Sequence, residues 1–197
     1  MAMDHGILPK RGKLEKLESP DRVRELDPAG TLDRLGVGGT VCDIGAGSGL
    51  FSLAAAERTK DAVYAVDTDA DILNVLAGRA KERGLSNLYT LPVDGYLYPI
   101  PADCADWALL VTTLHEIGDI PALFAELRRI LKPGGRAALI EFRAGQTPMG
   151  PPPAHRLGAE AAQKIFEAEG FQKAREFVLG DNLYCQVYEN ADKKSRL

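Results

Sequence analysis

"VCDIGAGSGLF" spans residues 41–51 and places glycine at 45, 47 and 49, in and directly after an apolar run that carries an acid, Asp43. Glycine inside an element costs about 0.5–1 kcal/mol relative to alanine. Three in register therefore point to backbone that another group must approach closely. A dinucleotide loop reads G-x-G-x-x-G and seats a pyrophosphate at a helix N-terminus. Here the third glycine comes one position early, and Asp43 stands two residues ahead of the loop. A carboxylate there repels a pyrophosphate and suits a ligand that carries positive charge.

Strands and helices alternate outward from this loop. "TVCDIG" is a buried strand, and "SGLFSLAAAERT" has alanine and leucine at helical spacing. "DAVYAVD" is a second strand, followed by the helix "DADILNVLAGRAKERG", capped by Asp69 and stopped by Gly84. "NLYTLPVD" is the third strand, "ADWALLVTTL" the fourth and "RAALIEF" the fifth. The helix "DIPALFAELRRILKPGG" is read as running to a Pro-Gly-Gly turn. Ahead of the loop, "SPDRVREL" and "DPAGTLDRLG" are helices, each opening on a cap residue followed by proline. After the fifth strand the rhythm breaks into "RAGQTPMGPPPAHRLG", read as a loop or lid over one end of the sheet. A helix, "AEAAQKIFEAEG", and a hairpin around Gly-Asp-Asn complete the chain, with 191–197 as a frayed tail.

Such alternation gives an α/β, doubly wound, mostly parallel sheet with helices on both faces. One domain of 197 residues is expected, with residues 1–36 as an N-terminal helical segment or lid and 37–190 as a Rossmann-like core. Ligands bind such sheets at the carboxyl ends of the strands. The net charge of −4 argues against nucleic-acid binding through phosphates, and no apolar stretch is long enough to span a bilayer. "MAMDHGILPKRGKLEK" carries no long apolar core and no evident cleavage site, so a cytoplasmic protein is expected. Cys42, Cys104 and Cys185 have neither C-x-x-C spacing nor a nearby histidine pair, so no metal site is expected. Cys42 and Cys185 read as small buried thiols.

Three successive strands lead into acids, Asp43, Asp67 and Asp94. Asp67 is placed to accept from vicinal ribose hydroxyls. Each acid alone is explained by capping or a turn; all three at one sheet edge are not.

With these motifs together the chain resembles the class I S-adenosylmethionine-dependent methyltransferases, over about residues 38–189. "VCDIGAGSG" is similar to the first motif of that family, "VYAVD" to its second, "LPVDGY" to its third, "LLVTTLHEIGD" to its fourth and "LKPGGRAALIE" to its fifth-strand motif. The small single-domain members related to the ubiquinone/menaquinone group resemble it most, through "LHEI" and "TPMGPP". The resemblance implies a seven-stranded sheet in the order 3-2-1-4-5-7-6 with the last strand antiparallel. It implies S-adenosylmethionine as cofactor and S-adenosylhomocysteine as product. The backbone of Gly45, Ala46, Gly47, Ser48 and Gly49 then lies under the cofactor, and Asp43 lies near the methionine ammonium. Asp67 takes the ribose hydroxyls, while Thr68 and Ile72 border the adenine. Asp94 meets the adenine amino group with Gly95 and Tyr96 beside it, and Thr112 lies near the methionine moiety.

The implied reaction is in-line displacement of a methyl group from a sulfonium by a nucleophile on a small-molecule acceptor. Alignment supplies most of the catalysis, and a base is needed only where the nucleophile must lose a proton. His115 is the base best placed by sequence, or else a brace for its loop; Glu116 orients it or begins the next turn. Glu141, Arg143, His155 and Arg156 are candidate substrate contacts, the cations suiting an anionic or polar acceptor or merely solvating loops. Tyr96 and Tyr98 line the pocket or pack. Two other readings compete: a non-catalytic cofactor-binding or interaction protein on the same scaffold, and a nicotinamide-dependent oxidoreductase.

Overall fold

The computed structural model describes residues 11–145 and 149–190. His5, Lys10, part of the Pro-rich loop at 146–148 and the tail at 191–197 lie outside the described residues.

Three short helices come first, α1 (Arg11–Leu17), α2 (Pro20–Leu26) and α3 (Pro28–Leu35). Asp27 joins the last two: it ends α2 in a left-handed conformation and its side chain accepts from Gly30 N–H at the start of α3. Then follow β1 (Val41–Ile44), α4 (Leu50–Arg58), β2 (Val63–Asp67), α5 (Ala70–Glu82), β3 (Leu88–Pro92), β4 (Ala105–Val111), α6 (Ile120–Ile130) and β5 (Leu131–Phe142). The chain closes with α7 (Ala159–Ala168), β6 (Phe171–Leu179) and β7 (Leu183–Asn190). These strands form one seven-stranded sheet in the order β3-β2-β1-β4-β5-β7-β6. The first five are parallel, and β7 runs antiparallel to both β5 and β6.

Alternate residues of the central strands feed opposite cores, which makes the fold doubly wound. Leu109 packs with Phe51 of α4 and Leu32 of α3 on one face, whereas Leu110 packs with Phe124 of α6 and Phe166 of α7 on the other. The second face is clamped by aromatic rings: Phe166 stacks on Tyr188 at 3.8 Å and meets Phe124 edge-on at 4.7 Å.

One boundary differs from the expectation. The helix read as running to the Pro-Gly-Gly turn at 133–135 ends at Ile130, and Leu131 to Gly135 already belong to β5. Pro133 disfavours helical backbone at Lys132, so the chain extends before the glycines. The β4–β5 register shifts between Ala105 and Trp107 to absorb the irregularity.

Glycine at 49 is demanded by backbone and packing together. Gly49 caps α4 at φ +86°, and a Cβ there would overlap Leu76 of α5, which is fully buried. The left-handed conformation costs a non-glycine residue roughly 1–2 kcal/mol, and overpacking costs about 1–3 kcal/mol. Gly49→Ala is therefore expected to lose about 2–5 kcal/mol in total. At about 2–4 °C per kcal/mol for a chain of this size, a melt should show the midpoint fall by roughly 5–20 °C. An unchanged midpoint would remove Leu76 as the constraint.

Candidate active site

A cavity of about 390 Å³ opens at the carboxyl edge of β1, β2 and β4. Its floor is the glycine loop. Gly45 and Ala46 N–H both donate to Val66 O of β2, at 2.8 and 3.0 Å, tying the loop to the neighbouring strand. Gly45 has φ +72°, and a Cβ there would strike Thr113 beyond β4. Its close neighbour in the structure is thus a protein side chain. Gly47 N–H donates to Asp67 Oδ2 at 2.8 Å, and Asp69 N–H donates to Asp67 Oδ1 at 2.9 Å. Asp67 therefore holds the loop on one side and the start of α5 on the other.

Asp43 lies inside β1, only 2% exposed, and lines the cavity. Ser52 Oγ donates to its Oδ2 at 2.5 Å. Burial pushes its carboxyl up to about 6, with Ser52 opposing and the nearby Asp67 adding to the rise. Ionised Asp43 thus opposes folding: its contribution falls as pH rises from about 4 to about 6 and stays lost above. A ligand bearing an ammonium or sulfonium favours the ionised form. Affinity for such a ligand should rise with pH by up to roughly tenfold per unit below the carboxyl's pKa and level off above it. Asp43→Asn should flatten that dependence in calorimetric titrations. A wild-type affinity unaltered between pH 5 and 7 would show that Asp43 does not face the ligand's charge.

Beyond β4 the backbone is strained. Thr112 adopts φ +50°, an outlier for a β-branched residue. Its N–H donates to Ile140 O at 2.7 Å, and its Oγ1 accepts from Arg22 Nη2 at 2.7 Å. The next turn carries His115, whose Nδ1 lies 2.9 Å from both oxygens of Glu141 and whose backbone N–H donates to Glu141 Oε1 at 3.2 Å. Glu141 is fully buried at the end of β5. Its hydrogen bond raises the His115 pKa, and burial partly opposes this. Nε2 of His115 lies 3.7 Å from Glu116 Oε1, and Glu116 lines the cavity.

The loop after β3 is set from below by α6. Glu126 accepts from Tyr98 N–H at 2.8 Å and pairs with Arg129, whose guanidinium donates to Ile100 O and Tyr98 O at 2.8 and 3.0 Å. This anchorage places Gly95, Tyr96 and Tyr98 in the cavity wall.

Of the residues singled out from sequence, Asp43, Gly45, Ala46, Gly47, Ser48, Asp67, Thr68, Gly95, Tyr96, Thr112 and Glu116 line this cavity together. Gly49 is buried as the cap of α4, and Ile72 is buried in α5 with its N–H bonded to Asp69. Asp94 is exposed two residues past β3. His115 and Glu141 do not line the cavity; His115 meets it only through its neighbour Glu116. The remaining candidates lie elsewhere. Arg143 N–H donates to Asn182 O, and its guanidinium reaches Asp181 O at 3.4 Å. Arg156 donates to the carbonyls of Pro151, Gly145 and Met149, and His155 is exposed beside it. Among the described residues no group of His, Cys, Asp and Glu is arranged to hold a metal ion. No helix among them is long and apolar enough to cross a membrane.

Sequence reasoning offered residues 1–36 as a helical segment or lid but did not assign the side chains that α1 and α2 bring to the cavity. Lys13, Leu17, Arg22 and Leu26 line the cavity. The segment is tied across α5 by Lys13–Asp69 at 2.6 Å and by the forked pair of Arg79 with Glu18, whose second bond measures 3.0 Å. Arg79 also donates to Ser48 O at 3.1 Å. Arg22 reaches the mouth of β4 from α2, and its Nε is buried without a partner. Burial holds its guanidinium below the ordinary arginine value, against the attraction of Glu141 and Glu116.

A family described as methyltransferase domain matches residues 41–135. Among curated proteins, the chain is 32% identical over 115 residues to a 2-phytyl-1,4-naphtoquinone methyltransferase of Synechococcus elongatus, covering 57% of this chain and 49% of that one. It is 29% identical over 133 residues to the ubiquinone/menaquinone biosynthesis C-methyltransferase UbiE of Acidiphilium cryptum, covering 67% of this chain and 49% of that one. The chain thus spans about half the length of these relatives. Among solved structures, a SAM-dependent methyltransferase from Aquifex aeolicus superposes with a TM-score of 0.82 at 26% identity, over 91% of this chain and 98% of that one. The fold is that of the class I S-adenosylmethionine-dependent methyltransferases, related in general to the ubiquinone/menaquinone type.

Proposed function

We propose that this protein transfers a methyl group from S-adenosylmethionine to a small-molecule acceptor. The observation that carries the reading is the pairing of two acids with the glycine loop: buried Asp43 and loop-bound Asp67 face one cavity at the carboxyl edge of the sheet. That donor set fits the cofactor. A buried carboxylate with a single side-chain donor, Ser52, has capacity left for a cation. Asp67 spends one lone pair of each oxygen on backbone N–H groups and keeps the others for two hydroxyls.

In this reading Gly45 to Gly49 lie under the cofactor, Thr68 and Ile72 border the adenine, and Asp94, Gly95 and Tyr96 lie at its amino edge. Thr112 lies near the methionine moiety. The cofactor supplies a methyl group already activated by its sulfonium. The protein's share is alignment and, for an acceptor with an acidic proton, removal of that proton. Glu141 fixes the His115 ring through Nδ1 and leaves Nε2 toward Glu116 and the cavity side. The pair works as base and orienter, with Glu116 as the gate between His115 and the acceptor. Glu141 acts through His115 and is a positioning residue.

The test is transfer of isotopically labelled methyl from S-adenosylmethionine into a small-molecule extract. Label is expected in a low-mass compound, on an oxygen, nitrogen, sulfur or carbon nucleophile. Binding of the cofactor without label leaving it under any extract would favour a non-catalytic role.

A further inference from the structure

We propose that Glu126 and Arg129 of α6 are positioning residues for the base end of the cavity, a role that rests on the methyltransferase reading above. They fix the backbone between β3 and β4 in the shape that selects adenine. Residues 93–104 lead from the edge strand β3 to β4 at the centre of the sheet and contain no helix or strand. Their backbone groups therefore have no ladder to complete. Val93, Gly95, Tyr96 and Tyr98 nevertheless line the cavity, with Gly95 at φ +97° and Leu97 exposed to solvent. An irregular wall of this kind discriminates between ligands only when groups outside it hold its shape.

Helix α6 supplies that hold at three places along its length. At its start, Asp119 N–H donates to the Tyr96 hydroxyl at 3.2 Å. At its end, the carbonyls of Arg129 and Ile130, which have no partner within the helix, accept from Asp103 and Cys104 N–H, both at 2.9 Å. Between these ends, Glu126 is only 4% exposed and accepts from Tyr98 N–H at 2.8 Å. Arg129 Nε donates to Glu126 Oε2 at 2.7 Å, and the same guanidinium donates to Ile100 O at 2.8 Å and Tyr98 O at 3.0 Å. A buried ion pair contributes little net stability, because desolvation offsets the attraction. These two side chains instead spend their hydrogen bonds on backbone groups of one segment, which fixes its conformation.

The test compares S-adenosylhomocysteine with its hypoxanthine counterpart, in which oxygen replaces the amino group of the base. Wild type should bind the adenine compound about tenfold or more tightly, the effect of one mismatched hydrogen bond. E126L/R129M replaces the pair with apolar side chains of similar size and leaves no buried charge, so its melting midpoint should stay close to that of wild type. Its preference for adenine should fall to within about threefold. Hydrogen exchange of the ligand-free variant should speed up at Tyr98 and its neighbours by about tenfold or more, with β1 and β4 as protected as in wild type. Should E126L/R129M fail to fold, Glu126→Gln keeps the shape and removes the charge, and the preference should drop at least about threefold. Wild-type exchange in this segment of a folded variant, or no preference in wild type, would overturn the proposal. Binding of neither compound to wild type would sink the methyltransferase reading and the base assignment with it, whereas a full preference retained in a folded variant sinks the proposal alone.

Discussion

His115→Ala is expected to lower methyl transfer by about 10²–10⁴-fold, the usual effect of removing a general base, while leaving cofactor affinity within about threefold. Its ring is oriented by two contacts of 2.9 Å to a fully buried carboxylate. The Glu141 bond raises its pKa above 6.5, so the rate should climb with pH through a midpoint above that value. Glu141→Gln should shift this midpoint down and lower the rate, because the ring loses both its charge partner and its fixed tautomer. The stability sign is separate. A raised histidine pKa adds stability below about pH 6.5 that is lost as pH climbs through the folded value. Glu141→Gln should therefore cost more stability at pH 6 than at pH 9, read from urea melts. A His115→Ala variant that melts earlier yet keeps its rate per folded molecule would make His115 a brace.

Asp67→Ala is expected to weaken S-adenosylmethionine binding at least about a hundredfold. Two charge-assisted hydrogen bonds to the ribose are lost, each contributing about 1.5–3 kcal/mol. The structure adds a second effect. Gly47 and Asp69 N–H lose their acceptor as well, so the loop loosens under the cofactor. Asp67→Asn keeps an oxygen for one backbone donor and should fall between wild type and alanine. Methyl transfer should recover at saturating cofactor in both variants, unlike in His115→Ala. Unchanged affinity in a folded Asp67→Ala variant would remove Asp67 from the site.

The architecture was legible because the signals that set it are local. Three glycines at positive φ and a strand ending in Asp67 leave few other readings, and alternating elements fix a parallel sheet with two covered faces. Capping by Asp27 and Asp69 was likewise readable from the residues themselves. The helix end at Ile130 was misplaced because the Pro-Gly-Gly turn masked the extended backbone that proline imposes one residue earlier.

The polar end of the cavity was less legible, since its contacts join elements far apart in the chain. Arg22 meets Thr112 across 90 residues, and no spacing rule links a residue of α2 to the mouth of β4. Glu141 lies 26 residues from His115, and the two meet only because β4 and β5 pair with Val111 opposite Ile140. Arg143 and Arg156 were attractive as substrate contacts on charge alone. Loop carbonyls take most of the Arg156 donors, and the Arg143 guanidinium reaches a carbonyl of the β6–β7 turn.

The central claim is that two acids and a glycine loop form a site for an adenosyl sulfonium cofactor. Calorimetric titration of the wild-type protein with S-adenosylmethionine, S-adenosylhomocysteine and a nicotinamide dinucleotide tests it most directly. Saturable heat with both adenosyl compounds at a stoichiometry of one, and none with the dinucleotide, is the predicted result. Heat with the dinucleotide and none with either adenosyl compound would contradict it.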